Sequence, residues 1–425
     1  MHEPDLEQVA GLNEPTLKER PWLFGLLIAP MAVVSNGIIS GVLSYLLRRQ
    51  GVGIGRSSEI ISLLILPQTI YFLWSPITDF WMRRRTWLIV GAIAAALTMT
   101  AAFHGRRLDT PSSVALLFLS ACFGQLIVSS CGGMMGTLRN EANRRKASSA
   151  YQGGSLGFGA LGVFVLASLA ARMGMGPLGW IAAALIALPA LAAFAAPEQR
   201  LPHGQEQGIE QTMKQTWTRI WEEFKETFLC WRAVPYTLLM VFPIGSGAAI
   251  GLFPGIAQDY LVSGQHMAWM NGMAGALLMA AGSFAATLVP TRIRASVGYL
   301  FICLVNAVTL VALWLGPLRP STYFIGTTLY LFTIGTCYAL FTCVVLEFLG
   351  QSGKSGSGRY SIINSLGNIP VAYMTALDGR GGKLWGARGV AGTEAIAGII
   401  GAAILLAYFL TRKPTERPVE VLSST

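Results

Sequence analysis

The sequence predicts an all-α integral membrane protein of twelve transmembrane helices in two six-helix halves. Three observations carry this. Apolar residues make up 53% of the 425-residue chain and charged residues only 12%, against roughly 25% charge in a soluble domain. Apolar runs of 17 residues or more recur along the whole length, and about 20 residues cross a bilayer. The runs form two sets of six around one polar stretch, 197–233. No long segment alternates with period two, as the strands of a membrane barrel must.

The elements follow in order. An acidic, polar tail, 1–21, has no apolar core, so no cleavable signal peptide is expected ahead of span 1 at 22–47. Span 2, 58–80, runs into Trp74, Ser75, Pro76 and a single Asp79; Arg83, Arg84 and Arg85 follow before span 3, 87–103, opens at Trp87. Span 4, 114–138, closes on Arg139 and Glu141, and span 5, 148–171, carries the glycine-rich run Gly153 to Gly162. Span 6 covers 177–196 and completes an N-terminal bundle, 22–196. The linker 197–233 opens with Pro197 and Pro202. It then places Trp217, Ile220, Trp221, Phe224 and Phe228 at helical spacing, the pattern of an amphipathic helix lying in the headgroup layer.

The C-terminal bundle, 234–411, holds spans 234–261, 267–289, 296–315, 321–349, 359–377 and 391–411, before a tail at 412–425. Span 7 contains Gly245, Gly247, Gly251, Pro254 and Gly255, which weaken a helix and suit either close packing or a bend. Gly37/Gly41 and Gly153/Gly157 share the four-residue spacing of close helix contacts. Span 10 ends in Leu346, Glu347 and Phe348, matching the end of span 4 in the other half. Asp378, Arg380, Lys383 and Arg388 read as a solvated loop between spans 11 and 12, which leaves no acid or base expected near the centre of any span.

Charge sets the expected orientation. With the N-terminus in the cytoplasm, 21 of the 31 lysines and arginines fall on inner segments and 10 on outer loops, the bias that holds positive loops inside. Both termini are therefore expected in the cytoplasm, across a bacterial inner membrane. The net charge of +10 belongs to loops facing lipid headgroups, and nucleic acid, which needs a basic face on a soluble module, is excluded as a partner. Six cysteines without a C-x-x-C pair and four scattered histidines give no disulfide framework, metal site or cofactor. An enzyme would need clustered acids or histidines at a membrane face. Gly353, Lys354 and Ser355 resemble the end of a P-loop, but Phe348 stands where its first glycine belongs and no strand precedes it.

A lone aspartate and an arginine triplet in a tight turn between two spans is what a gate needs. Twelve spans, the 6+6 division and this turn resemble the major facilitator superfamily, in which a glycine, an aspartate four residues on and basic residues mark the loop after helix 2. Here Ser75 holds the glycine position, Asp79 the aspartate and Arg83, Arg84 and Arg85 the basic cluster, while Phe80 replaces the basic residue that usually follows the aspartate. The run FLWSP-x-x-D, then RRR-x-WL, looks like the AmpG-type muropeptide permeases and the related acetyl-CoA transporter branch. The resemblance implies a secondary transporter working by alternating access; proton-coupled uptake of a small amphiphilic solute (muropeptide-, siderophore- or related metabolite-like) by a monomer is the expected function, with an exporter of lipophilic compounds or a transporter-like protein without ion coupling (uniporter or sensor) as the alternatives. Span 5 lacks the Gly-Pro pair that resembles an antiporter signature.

A polar side chain at mid-membrane faces a cavity or a partner. On that ground the expected substrate contacts are Asn36, Gln68, Tyr71, Gln125, Tyr338, Asn364 and Asn368, and the resemblance, which implies a cavity lined by helices 1, 4, 7 and 10, favours Asn36, Gln125 and Tyr338. Asp79 is expected to clasp the start of helix 11, since a helix N-terminus attracts negative charge. Arg139, Glu141 and Glu347 are expected to add inter-half pairs on the same side. For proton coupling, Asp259, at the outer end of span 7, and Glu141, at the inner end of span 4, are the expected carboxylates.

Overall fold

The computed structural model describes residues 20–411 except 75–76, 79–81, 106, 137, 139–140, 197–216, 219–220, 223, 226–227, 230–232, 291, 352–361 and 364; of Glu141 and Glu347 the backbone alone is described. Its regular structure is helical throughout. The N-terminal half comprises α1 (Pro21–Arg49), α2 (Ile54–Ile70), α3 (Arg84–His104), α4 (Pro111–Gly136), α5 (Glu141–Ala170) and α6 (Met175–Ala190).

In the second half α7 is broken. It forms Val234–Val241, then, after a non-helical stretch, the short turns Ala248–Gly251, Phe253–Ile256 and Ala257–Tyr260. α8 (Gly264–Leu288), α9 (Ala295–Leu315) and α10 (Pro320–Gln351) follow. The last helix, Ile369–Thr411, reverses at Trp385 and Gly386, giving α11 (369–384) and α12 (387–411). The fold back is tight, because Gly381 meets Gly389 and Thr393 while Gly382 meets Val390. Among the described residues this gives twelve helices. The end of the bundle bearing the α1–α2, α7–α8 and α11–α12 turns is called distal here, and the end with residue 20 and Thr411 proximal.

This hairpin overturns the expected loop at 378–390. α11 continues through Asp378 to residue 384, and Asp378 and Glu394 are both buried, so the expectation of spans without internal acids fails too. The physical reason is the cluster Gly379, Gly381, Gly382 and Gly389. Lacking side chains, these residues let two helices and α2 approach where bulkier residues would have forced a solvated loop. Arg380, Lys383 and Arg388 stay exposed at the distal rim.

α1 is the innermost helix. Its Gly37 lies against Gly159 and Gly162 of α5, and Gly41 against Val163. Gly153 and Gly157 have open space beside them, so their four-residue spacing marks no packing seam. The halves meet along three seams toward the distal end. Gly251 and Gly255 of α7 sit on Ser40 and Ser44 of α1, Gly272 of α8 on Ala160 and Phe164 of α5, and Gly379 of α11 on Ser58 of α2. Ser62 of α2 also donates to the Ala372 carbonyl at 2.6 Å.

The aromatic face of the linker divides its attention. Phe228 is buried and Phe224 half-buried in a cluster with Met240, Val345, Phe348 and Ile362, with Phe72 of α2 beside it, while Trp217 and Trp221 are exposed. The two tryptophans thus face outward, whereas the phenylalanines anchor the segment to the proximal end of α10 and to Ile362.

Candidate functional site

Local winding first singles out α1. Residues Val33–Val42 form a π-helix, a rare winding that concentrates at functional sites. Within it Asn36 is the one exposed residue between Leu23 and Arg48, so open space reaches the middle of an otherwise buried helix. Its amide donates to Ser155 Oγ at 3.1 Å, which fixes the side chain against α5. From the other half, Tyr338 of α10 is 39% exposed, and its hydroxyl donates to the Ser246 carbonyl at 3.3 Å.

Gln125 lies elsewhere. It is 4% exposed and does not line open space, because α4 turns that level inward, with neighbouring Gly124 set against Met31, Val34 and Ser35 of α1. Tyr71 is buried at the proximal end of α2, and half-buried Gln68 keeps its amide nitrogen without an acceptor among the described residues. Asn368 is half-buried at the start of α11, and Asn364 lies outside the described residues.

The break in α7 faces this same level. Gly245 (φ +54°) and Gly247 (φ +75°) take left-handed backbone conformations, which glycine reaches at no steric cost. At Gly247 a side chain would also collide with the Tyr338 hydroxyl. Unwinding frees backbone carbonyls that must be satisfied in a buried setting. Tyrosines from three helices do this: Tyr373 donates to the Val241 carbonyl at 2.7 Å, Tyr299 to that of Ile244 at 3.3 Å and Tyr338 to that of Ser246.

The freed N–H side of the break is held by Glu394 of α12. Its carboxylate accepts from the Ala249 N–H at 2.7 Å, from Ser246 Oγ at 3.1 Å and from the Tyr330 hydroxyl at 2.6 Å. Asp378, fully buried on α11, faces Glu394. No N–H or O–H donor among the described residues reaches either Asp378 oxygen.

Asp259 has a different setting. At the distal end of α7 it forms an ion pair with Arg48 of α1 at 3.0 Å, and the arginine also donates to the Gly255 carbonyl at 3.3 Å. The pair spans the two halves and closes the floor of a distal cleft of about 620 Å³, lined by Arg56, Glu59, Asp259 and Lys383 among others. At the proximal end Arg84 donates to the Gly133 carbonyl at 2.6 Å, tying α3 to α4, while Arg83 is exposed and Arg85 half-buried. Asp79 and Arg139 lie outside the described residues, as do the side chains of Glu141 and Glu347.

The family model of the Major Facilitator Superfamily matches residues 25–375. The chain belongs to that superfamily. As a facilitator it is similar in fold to a crystal structure of the nucleoside transporter NupG, with 12% identity, a TM-score of 0.66 and 92% of this chain and 99% of that one covered. It is also similar to a peptide transporter POT in complex with sulfate, with 14% identity, a TM-score of 0.67 and 96% and 98% covered. A POT family transporter in complex with 5-aminolevulinic acid gives 12% identity, a TM-score of 0.67 and 92% and 96% covered. At these identities the likeness is one of fold. No curated protein matches the sequence.

In this facilitator the break of helix 7 is where its glycines and proline placed a weakness, whereas the buried acids Glu394 and Asp378 were not expected inside the bundle. Glu394 stands four residues into an apolar run and Asp378 directly follows another. The available signal was the glycine pattern between them, which announces a tight hairpin and hence burial of its acids.

Proposed function

We propose that this facilitator takes up a small amphiphilic solute across the bacterial inner membrane by proton-coupled alternating access, as a monomer with both termini in the cytoplasm. The carrying observation is a sealed distal seam beside an accessible centre. It is sealed at the distal end by Arg48–Asp259, Ser44–Gly255 and Ser58–Gly379, while Asn36 and Tyr338 remain exposed at mid-bundle. A facilitator sealed on one side of an accessible centre is in one of the two states that alternate access requires.

Asn36 and Tyr338 offer hydrogen bonds and aromatic surface without a fixed charge, which favours a neutral or zwitterionic amphiphile of the muropeptide, siderophore or related metabolite type. The Leu-Trp-Ser-Pro and Asp79 motif supports placement near the AmpG-type permeases. Asp79, Arg83, Arg84, Arg85, Arg139, Glu141 and Glu347 form the proximal gate in this reading, and Arg48 with Asp259 the distal one. Asp259 is thereby assigned to gating, since its carboxylate is already held by an arginine.

Uptake of radiolabelled muropeptide, siderophore and acetyl-CoA into proteoliposomes, with and without an inward pH gradient, tests the reading. Accumulation of one of the first two above equilibrium, abolished by a protonophore, is the expected result. Tight binding of acetyl-CoA that ignores changes at Asn36 and Tyr338 would place the pocket elsewhere, and accumulation that never exceeds equilibrium would make the protein a uniporter.

A further inference from the structure

We infer that Asp378 and Glu394 form a proton-binding site in which a single shared proton resides on Asp378, and that its presence or absence controls the unwound segment of α7. The inference rests on the alternating-access reading above. It starts from an imbalance in hydrogen bonding. Glu394 accepts from three donors, the Tyr330 hydroxyl, Ser246 Oγ and the Ala249 N–H, a set suited to a carboxylate and offering nothing to a carboxylic acid. Asp378 has no donor at either oxygen and is 0% exposed. A buried carboxylate with neither donor nor cation is prohibitively costly, so such a group is held neutral. The carboxyl of Glu394 lies level with it across the hairpin, whose register sets Gly381 against Thr393 and Gly382 against Val390, and this completes the argument, because two like charges in contact inside a protein do not both persist. A protonated Asp378 becomes an O–H donor aimed at the Glu394 carboxylate, and both groups are then satisfied by one proton.

Among the described residues the surroundings contain nothing else that could neutralise the pair. α10 contributes Tyr330 and Tyr338, both phenols, and α7 contributes Ser246 and the Ala249 N–H. α2, packed against α11, places Ser58 and Ser62 there. α9, which meets α12 at Ala307, brings Asn306, and its amide turns to Tyr330 and Thr333 of α10. Among the described residues the charged groups of α2, α11 and α12 toward that end, Arg56 and Glu59 (paired with each other at 3.1 Å), Arg380, Lys383 and Arg388, are exposed at the distal rim.

Glu394 is also the group that pins the break in α7, through Ala249 and Ser246 on its far side. Loss of the proton from Asp378 leaves two facing carboxylates. The Glu394 side chain is then driven away from Asp378, and its bonds to Ser246 and Ala249 are disturbed. The piece of α7 so released carries Gly251, Gly255 and Asp259, the residues that seal the distal seam against Ser40, Ser44 and Arg48. Proton binding is a single O–H bond made at Asp378 and broken on release, with no other bond changed. The protonated pair therefore belongs to the distally closed state.

The test needs no solute. In a cysteine-free background, Ser44→Cys places a thiol beneath Gly255, and its maleimide labelling rate reports opening of the distal seam. Because maleimide reacts with the thiolate, each rate is divided by that of the same thiol in the unfolded protein at the same pH; with one linked proton this relative labelling rises with pH by up to about tenfold per pH unit. Asp378→Asn, whose amide mimics the protonated acid and still donates to Glu394, is expected to hold the relative labelling low and flat with pH. Infrared spectroscopy of the wild-type protein supplies the second readout: a protonated-carboxyl band at neutral pH that disappears on alkaline titration and is absent from Asp378→Asn. A wild-type pH response retained in a folded Asp378→Asn overturns the inference. So does the absence of a titrating carboxyl band from the wild type, which decides the matter even if the variant does not fold. Should the band and the labelling respond to pH while no solute accumulates, the proton site stands and the transport reading fails; accumulation without either response leaves transport standing and removes this site.

Discussion

Breaking the Arg48–Asp259 pair should open the distal seam by a predictable amount. Arg48 Nη2 contacts both Asp259 oxygens, at 3.0 and 3.3 Å, and Nε adds the Gly255 carbonyl. The side chains are 21% and 29% exposed, between an open surface pair and a fully buried one. Surface pairs contribute about 0–1 kcal/mol and loss of one buried partner costs about 3–5 kcal/mol, so a charge-assisted, partly screened contact is set at about 1–2 kcal/mol. Since about 1.4 kcal/mol is a factor of ten in population, Asp259→Asn should speed labelling of the Ser44→Cys thiol by about tenfold, with overall fold retained. Arg48→Ala loses the Gly255 contact as well and should exceed this. The double-mutant cycle isolates the pair itself, and a coupling of about 1–2 kcal/mol is expected from it. Strictly additive effects would refute the reasoning, because the two charges would then stabilise the seam independently and the distal clasp would not exist.

The remaining expectations are more local. Asn36→Ala and Tyr338→Phe should each weaken solute binding by about 1 kcal/mol, the net scale of one hydrogen bond, measured by competition in proteoliposomes; unchanged affinity in both would move the pocket. Gly247→Ala combines a left-handed backbone with a collision at Tyr338 and should lower thermal stability in detergent by about 1–3 kcal/mol; a neutral effect would mean that α7 can straighten there. Asp79→Asn should cripple flux while leaving insertion intact, and wild-type uptake in that variant would remove the aspartate from the gate. Tyr330→Phe deletes one of the three donors to Glu394 and should move the pH midpoint of Ser44→Cys labelling toward alkaline values, because a less stabilised carboxylate side gives up its proton less readily; an unmoved midpoint would separate Tyr330 from the acid pair.

Twelve helices, the 6+6 order and the superfamily are legible along the chain because they depend on local quantities: the length of apolar runs, the charge of loops and a short motif after helix 2. The weakness of helix 7 is legible for the same reason, since Gly245, Gly247 and Pro254 act on their own backbone. The acid pair is different in kind. Whether Asp378 and Glu394 are solvated loop charges or a buried couple depends on how closely α11, α12 and α2 approach. That distance is a sum over glycines on three helices, which no single stretch of chain expresses. The same holds for Asn36 against Gln125, two mid-span amides of equal standing in sequence. Only the rotation of α1 and α4 about their axes, fixed by packing against neighbours, opens one to the centre and buries the other. Apolar periodicity places a residue in the membrane, and tertiary packing alone decides which polar side chains there meet a cavity, a tyrosine or another acid.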